Sequence, residues 1–325
     1  MGEAFFSCAA LKSRQQFNQE IRADSKPGVC QVRLKDLLAS VLLTAFGFVG
    51  LGATAKAEQV VLANTEIFRI DSESVQDGFL IKVAFPRDYY ETSARYPVLY
   101  VTDAETNFGA LQYVVQRLAK DRLIPELIVV GVAYDTSYDD FYRLRARDLR
   151  PSLPEDPRLD LGGRPDEGKG QQFAEFLRSE LIPEIDQTYR TLPGDRAYYG
   201  HSYGGLFGVW SLMYESDLFN RYVILSPSLW WGELWYGTPR TSHGYHILPE
   251  RAASDGTPET DARVFVGSGE LEPRIDELQA IWADAIRPHL DPSVSMRDVI
   301  YDDETHRTIF GRGLMDGLRY IYGED

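Results

Sequence analysis

The sequence predicts an α/β fold in which one mostly parallel sheet carries helices on both faces. Two continuous apolar runs, 97–101 and 127–132, are typical of central parallel strands that are buried on both sides. Residues 108–120, between them, place leucine and valine at helical spacing. Residues 60–70 and 78–85 alternate apolar and polar side chains around an Asp-Gly turn, which predicts a leading antiparallel pair of strands.

The alternation of strands and helices continues to the end of the chain. The same patterns predict helices over 171–189, 206–213 and 275–286, strands at 197–199, 222–225, 263–266 and 294–301, and a last helix from Thr308. This rhythm indicates a single sheet between two helical layers. Two segments, 135–170 and 227–261, interrupt it, and we interpret them as long loops at the carboxyl edge of the sheet, where ligands bind.

The first 57 residues are predicted to be a leader. A basic stretch at 32–35 precedes an apolar run at 37–51, and Ala55-Lys56-Ala57 matches a signal-peptide cleavage pattern. We expect cleavage after Ala57 and a periplasmic or secreted protein, because the apolar run is shorter than the ~20 residues of a membrane span. Residues 1–31 are long and polar for a leader, so a translation start near Val32 is an alternative. Residues 58–325 are then one domain, without an internal linker.

Charge and cysteine content limit the classes of partner. The net charge of -15 divides into +3 for the first 57 residues and -18 for the remainder. An acidic mature chain argues against nucleic acid and against anionic membrane surfaces as partners, and no stable membrane insertion is expected after cleavage. Both cysteines, Cys8 and Cys30, fall in the leader. The mature domain is therefore expected to hold neither a disulfide nor a thiolate nucleophile.

The strongest functional signal is the segment Gly200-His201-Ser202-Tyr203-Gly204, placed between a strand and a helix. A serine at this junction is typical of the nucleophile elbow of α/β hydrolases, where a sharp turn lifts the hydroxyl above the sheet. The glycines remove the Cβ atoms that would collide at such a turn. The pattern predicts an α/β-hydrolase fold with Ser202 as nucleophile. The alternative is an inert serine in a glycine-rich turn.

A serine hydroxyl needs a general base, and in this fold the chain order is serine, acid, histidine. Of the five histidines, His306 follows the strand at 294–301 by a short polar loop and is the predicted base. His201 lies in the elbow, where we assign it no catalytic role. The remaining three are interpreted as a helix-end residue and two loop residues rather than metal ligands: His289, His243 and His246. No metal or organic cofactor is expected.

Two glutamates compete for the role of the acid. Both follow the strand at 263–266, in Gly267-Ser268-Gly269-Glu270-Leu271-Glu272. Taking Gly269 as the turn residue favours Glu272, whereas taking Gly267 favours Glu270. We expect Glu272, with Glu270 open as the alternative. The other carboxylate would be an ordinary charge near the start of the next helix.

Acyl transfer also needs N–H donors for the developing oxyanion. One is expected to be the backbone N–H of Tyr203, directly after the nucleophile. The other is expected in the loop after the third strand, and we nominate the N–H of Ala104.

Taken together, five segments resemble the putative esterase family, the esterase D-like branch of the α/β hydrolases that includes ferric-enterobactin and salmochelin esterases. The resemblance covers nearly all of 60–322, and the five segments occur in the family's order and spacing: 147–151, 200–207, 226–231, 264–272 and 304–307. The resemblance implies a serine esterase fold with the triad Ser202, Glu272 and His306. Many relatives have glycine where this chain has Ala104.

Three further side chains are candidates for substrate binding. Trp230 and Trp231 follow the strand after the nucleophile and are expected either to floor an acyl or aryl pocket or to cover the edge of the sheet. Arg147 is expected either to contact an anionic substrate group or to pair with Asp148 or nearby loop acids.

The sequence therefore predicts an exported serine esterase that cleaves a small-molecule carboxylic ester through an acyl-enzyme intermediate. The resemblance does not decide the substrate, because relatives cleave siderophore lactones, simple esters and thioesters; the candidates are a siderophore lactone and a short-acyl or aryl ester. The alternative is a binding protein that has kept the scaffold without its activity.

Overall fold

A computed structural model describes residues 61–136, 138–151, 168–230 and 261–323. Their strands form one eight-stranded sheet in the order β1-β2-β4-β3-β5-β6-β7-β8. β2 is antiparallel to both β1 and β4, and every neighbouring pair from β4 to β8 is parallel. The strands are β1 (Thr65–Ser72), β2 (Asp77–Ala84), β3 (Tyr96–Val101), β4 (Ile128–Tyr134), β5 (Thr191–His201), β6 (Arg221–Leu225), β7 (Arg263–Gly269) and β8 (Ser295–Tyr301). The predicted fold class, a mostly parallel sheet with a leading antiparallel pair, is confirmed.

Helices cover both faces of this sheet. They are α1 (Phe108–Lys120), α2 (Tyr138–Asp148), α3 (Gly170–Phe176), α4 (Ile182–Thr188), α5 (Tyr203–Tyr214), α6 (Ile275–Ile286) and α7 (Ile309–Tyr322). A π-helical turn, Leu177–Leu181, joins α3 to α4, so the helix predicted over 171–189 is one continuous helical segment. Two short 3₁₀ turns precede β3 and β8, at Tyr89–Glu91 and Arg287–His289.

The helix α2 corrects the sequence analysis, which placed all of 135–170 in a loop. Six of its eleven residues are Asp or Arg, so its composition is typical of a solvated segment. Phe141 and Leu144 are nevertheless buried, one helical turn apart, against the sheet. Residues 152–167 of the same segment lie outside the described part of the chain.

The core divides into two apolar clusters, one on each face of the sheet. Because successive strand side chains point to opposite faces, Val98 and Tyr100 of β3 enter one cluster while Leu99 and Val101 enter the other. Helices α2 to α6 cover the first face, and α1 and α7 cover the second. Packing from both sides explains why the central strands read as continuous apolar runs.

The strand order places the functional segments at one edge. β3 lies between β4 and β5. After β3 the chain adds β4 on one side of it and then β5 on the other side, and such a reversal of strand order opens a crevice at the carboxyl ends of the strands. The turns after β3, β5, β7 and β8 all emerge there. None of the described helices is long and apolar enough to cross a bilayer. The predicted leader and its cleavage site lie outside the described residues.

Candidate active site

Ser202 stands at the turn between β5 and α5 in a left-handed conformation, with φ 61° and ψ -115°. This conformation costs a serine on the order of 1–3 kcal/mol and has to be held by its surroundings. The Ser202 N–H donates to the carbonyl of Leu225 at 3.0 Å, and its own carbonyl accepts the N–H groups of Leu206 and Ser228 at 2.9 and 3.1 Å. These three backbone hydrogen bonds therefore hold the turn in its strained conformation.

Glycine is required around this serine by close backbone approach. A Cβ atom on Gly200 would lie 2.2 Å from the carbonyl oxygen of Gly204, and one on Gly205 would lie 2.9 Å from that of Leu225. Real Cβ atoms do not approach backbone this closely. The glycines of the motif thus allow the strand, the turn and the helix to pack directly on one another.

The structure brings Glu272 and His306 into direct contact. The Nδ1 of His306 lies 2.6 Å from Oε2 of Glu272. The other carboxylate oxygen, Oε1, accepts the Ser226 hydroxyl and the Gly269 N–H, both at 2.7 Å. Glu272 is only 4% exposed. With Nδ1 donating to the carboxylate, Nε2 of the imidazole is left to act as a base.

The turn that carries Glu272 is docked onto the loop that carries His306. The N–H of Leu271 donates to the carbonyl of Glu304 at 2.9 Å. A Cβ atom on Gly269 would lie 2.1 Å from that same carbonyl oxygen, so only glycine fits there. The close approach therefore identifies Gly269 as the glycine of the turn that carries Glu272.

Burial alone would raise the pKa of Glu272. The hydrogen bonds from His306, Ser226 and Gly269 outweigh it, so the pKa lies below the ordinary value of 4.5. Glu270, the alternative acid, is exposed, and its carboxylate accepts the Asp303 N–H at 3.3 Å. Of the two candidates, the structure brings Glu272 to His306.

Ser202 and His306 line one cavity of about 580 Å³ at the carboxyl edge of the sheet. The Ser202 hydroxyl is paired with the Ser228 hydroxyl at 3.3 Å rather than with the imidazole. Hydrogen bonds of this kind are often made only in the substrate complex.

His201, to which the sequence analysis gave no role, contacts His306 directly. Its Nε2 donates to the carbonyl of His306 at 2.6 Å, and the two imidazole rings lie 4.5 Å apart at an angle of 45°. Burial, together with the neighbouring His306, lowers the pKa of His201 to about 4. His201 is therefore a neutral donor at neutral pH. Sequence spacing alone could not reveal this contact, because 105 positions separate the two residues.

The two expected oxyanion donors differ in their surroundings. Tyr203 is the first residue of α5, where helical N–H groups have no partner within the helix and the helix dipole is positive. The Ala104 N–H, in contrast, donates to the carbonyl of Val132 at 3.2 Å, and Ala104 is buried. This corrects the nomination of Ala104, because its N–H is already engaged in joining β3 to β4.

The same turn holds two other N–H groups, those of Asp103 and Glu105. Among the described residues, no backbone carbonyl accepts either of them. Asp103 is left-handed, with φ 57°, and lines the cavity. The turn Asp103–Glu105 therefore remains the segment after β3 from which a second donor can come.

Arg147 is not among the described residues that line the cavity and is an ion-pair residue, as the alternative expectation held. Its guanidinium donates to both carboxylate oxygens of Asp148, at 2.6 and 2.9 Å, and to Asp77 at 2.9 Å. Asp148 is fully buried. Arg145, two residues earlier on α2, lines the cavity instead. Arg145 and Arg147 differ in this way because residues two positions apart lie on different faces of a helix.

Trp230 is half-buried, with its ring 5.7 Å from that of Tyr203, and it is not among the described residues that line the cavity. The structure therefore favours packing over substrate contact for this side chain. Trp231 and the loop histidines His243 and His246 lie outside the described residues.

Comparison with known proteins identifies what the chain resembles. The model of a family described as putative esterases matches residues 72–304. The ferri-bacillibactin esterase BesA of Bacillus subtilis is 31% identical over 232 residues, which cover 68% of this chain and 74% of that protein. The siderophore triacetylfusarinine C esterase of Aspergillus fumigatus is 28% identical over 183 residues, which cover 54% of this chain and 59% of that protein.

A solved structure, the IroE-like serine hydrolase from Shewanella oneidensis, superposes with a TM-score of 0.66 at 26% identity. The superposition covers 79% of this chain and 80% of that one.

Proposed function

The chain belongs to the putative esterase family and is a carboxylic-ester hydrolase, and we propose that it works through an acyl-enzyme intermediate on Ser202. The observation that carries the proposal is the 2.6 Å contact between His306 and the buried Glu272, beside a serine held in a strained turn. His306 takes the hydroxyl proton as Ser202 attacks the ester carbonyl, and gives it to the departing alcohol. Water then attacks the acyl-enzyme, with His306 again as base.

In this proposal Glu272 orients His306 and stabilises its protonated form. Two donors besides His306, the Ser226 hydroxyl and the Gly269 N–H, hold the carboxylate in place. A base that is fixed in one tautomer loses little freedom in the transition state. The oxyanion is held by the Tyr203 N–H and by an N–H of the turn Asp103–Glu105.

We propose a siderophore ester as the substrate class. Two relatives carry names that assign them siderophore esters. The cavity of about 580 Å³ falls within the usual range for sites that enclose a small molecule. Its aromatic and cationic lining, from Phe141, Phe310 and Arg307, suits an ester that carries aromatic and anionic groups.

Labelling with a fluorophosphonate tests the nucleophile. The intact enzyme should be modified at one serine, and peptide mass spectrometry should place the adduct on Ser202. A Ser202→Ala variant should remain unlabelled. Loss of labelling only in this variant would also exclude the alternative of a scaffold without activity, whereas an unlabelled wild type would overturn the proposal.

Competing substrates test the substrate class. Enterobactin and bacillibactin, each with and without Fe(III), are compared with p-nitrophenyl butyrate by the ratio kcat/KM. A siderophore ester should exceed p-nitrophenyl butyrate by at least about tenfold, since a cavity shaped for a ligand lowers the transition-state barrier. The reverse order would indicate a general short-acyl esterase.

We also propose that the mature protein is exported and begins at Glu58. The proposal rests on the apolar run at 37–51 and on Ala55-Lys56-Ala57. Intact-mass measurement of protein expressed in a Gram-negative host and recovered from the periplasm tests it. A chain that retains residues 37–51 in the membrane fraction would indicate anchoring instead.

A further inference from the structure

Arg145 contacts both of the segments that surround the nucleophile. Its Nε and Nη2 donate to the two carboxylate oxygens of Asp103, at 2.6 and 2.7 Å. Its guanidinium carbon also lies 5.2 Å from the ring centroid of Tyr203. Asp103 belongs to the turn after β3, and Tyr203 is the first residue of α5, directly after the turn that follows β5. One side chain, supplied by α2, thus bridges the turn after β3 and the N-terminus of α5, which are distant in the chain.

The ion pair is buried, with side-chain exposures of 10% for Arg145 and 6% for Asp103. Burying two charges costs free energy unless their geometry is nearly ideal, and an apolar pair is often as stable. A bidentate pair, however, fixes the position of a carboxylate far better than an apolar contact does. The buried ion pair is therefore better explained by the need to fix the Asp103 carboxylate in place than by a contribution to the stability of the fold.

Asp103 is held in its left-handed conformation from several directions. Its neighbour Ala104 donates to the carbonyl of Val132 and accepts from the ammonium group of Lys82, at 3.2 and 3.0 Å. The carboxylate of Asp103 is held by Arg145. These contacts occupy the backbone of Ala104, whereas no backbone carbonyl of the described residues accepts the N–H of Asp103.

The Tyr203 ring is held between two groups. Arg145 lies over it, and Trp230 packs against it with ring centroids 5.7 Å apart. Holding this side chain also holds the first peptide of α5, whose N–H adjoins Ser202. An oxyanion hole works only when its donors lie about 2.7–3.1 Å from the developing charge, so the separation of the two turns matters.

We propose that Arg145 is a positioning residue that sets the oxyanion hole by fixing the turn Asp103–Glu105 relative to the N-terminus of α5. The inference rests on the proposed acyl-enzyme function. It assigns Arg145 no contact with the reacting atoms. Its effect is exerted through Asp103 and Tyr203, and it should be felt in the transition state rather than in substrate binding.

The test compares Arg145→Lys with Arg143→Lys. Lysine at 145 keeps the charge beside Asp103 but cannot form the bidentate fork. Arg143 is a matched control, because it lies on the same helix, is exposed, and pairs with Asp140. The measurements are kcat and KM for p-nitrophenyl butyrate, and Ki for a trifluoromethyl ketone that forms an oxyanion on the serine.

For Arg145→Lys we expect kcat to fall on the order of 10²-fold, as when one oxyanion donor is misplaced. KM should change by less than about threefold, and Ki for the ketone should rise in parallel with the loss of kcat/KM. Arg143→Lys should behave as wild type. A folded Arg145→Lys variant with unchanged kcat and Ki overturns the proposal, and so does a rise in KM alone, which would indicate direct substrate contact.

If Arg145→Lys does not fold, the double variant Arg145→Gln/Asp103→Asn replaces both charges together and leaves no unpaired charge buried. It should unfold cooperatively and show the same fall in kcat and the same rise in Ki. Wild-type values in this variant overturn the proposal. Failure of the proposed function itself is distinguishable, because the wild-type enzyme would then resist fluorophosphonate.

Discussion

The imidazole of His201 donates to the backbone carbonyl of His306 across 2.6 Å, and the centroids of the two rings lie 4.5 Å apart, with the ring planes tilted by 45°. His201 is the last residue of β5 and immediately precedes Ser202. The strand that leads into Ser202 therefore also supports the loop that carries His306. His306 is held at two points, its ring by Glu272 and its backbone by His201.

Removing this support should slow the reaction. We expect His201→Ala to lower kcat by about 10- to 100-fold, because misplacing a catalytic group by about 1 Å costs on this order. His201→Gln keeps an N–H donor of similar reach and should retain most of kcat. Steady-state kinetics with p-nitrophenyl butyrate measure both. Equal losses in the two variants would show that the hydrogen bond is not what positions His306.

His201 should also make the fold sensitive to acid. Its pKa is lowered from 6.5 to about 4 in the folded protein, so between these values the unfolded chain binds a proton that the folded protein does not. The free energy of unfolding therefore falls as the pH falls from 6.5 towards 4, by up to about 3 kcal/mol. In the His201→Gln variant the free energy of unfolding should fall by up to about 3 kcal/mol less over the same pH range, because the titrating group is absent. Urea denaturation at pH 7 and pH 4.5 measures it, and identical pH dependence in both proteins would contradict it.

Replacing Ser202, the proposed nucleophile, should abolish activity without harming the fold. We expect Ser202→Ala to lower kcat at least about 10³-fold, while the thermal unfolding midpoint changes little, since only one hydroxyl is lost. Ser211→Ala is the control, because Ser211 is a buried serine on α5 that donates to the Gly208 carbonyl. It should stay active. Turnover by Ser202→Ala near the wild-type rate would mean that the nucleophile lies elsewhere.

The two candidate acids should separate by mutation. Glu272→Gln should lower kcat by about 10²- to 10⁴-fold, because the imidazole loses both its fixed tautomer and its compensating charge. Glu270→Gln should cost little, since Glu270 is exposed and bonds only weakly to the Asp303 N–H at 3.3 Å. Parallel kcat measurements decide between them. Two nearly silent variants would indicate that Ser202 and His306 act as a dyad.

The elbow should not tolerate a Cβ atom before the nucleophile. Gly200→Ala brings that atom to 2.2 Å from the Gly204 carbonyl oxygen, so the turn must shift, at a cost of at least about 2 kcal/mol. Gly194→Ala, on the same strand, meets nothing within 4 Å and should change stability by less than about 1 kcal/mol. Urea denaturation compares the two. A Gly200→Ala variant as stable as Gly194→Ala would disprove the close approach.

Much of the fold could be predicted because buried strands and helices have characteristic patterns of apolar residues within a short stretch of sequence. Buried parallel strands are apolar throughout, and the leading pair alternates, so each could be recognised within its own window. The helix α2 could not be recognised, because its charged side chains dominate the window and only Phe141 and Leu144 mark its buried face. Missing α2 also hid Arg145, whose partner Asp103 is 42 positions away.

The sequence by itself determined the elements and the chemistry available at their ends: a serine in a glycine-rich turn, a histidine after the last strand, and a glutamate pair after β7. It could not decide which glutamate meets His306, whether the Ala104 N–H is available, or which arginine of α2 faces the cavity. Those outcomes depend on distances between residues far apart in the chain. Only the packing of the strands and helices sets such distances, because hydrogen bonds and buried ion pairs act over about 3 Å and leave no periodic pattern in the sequence.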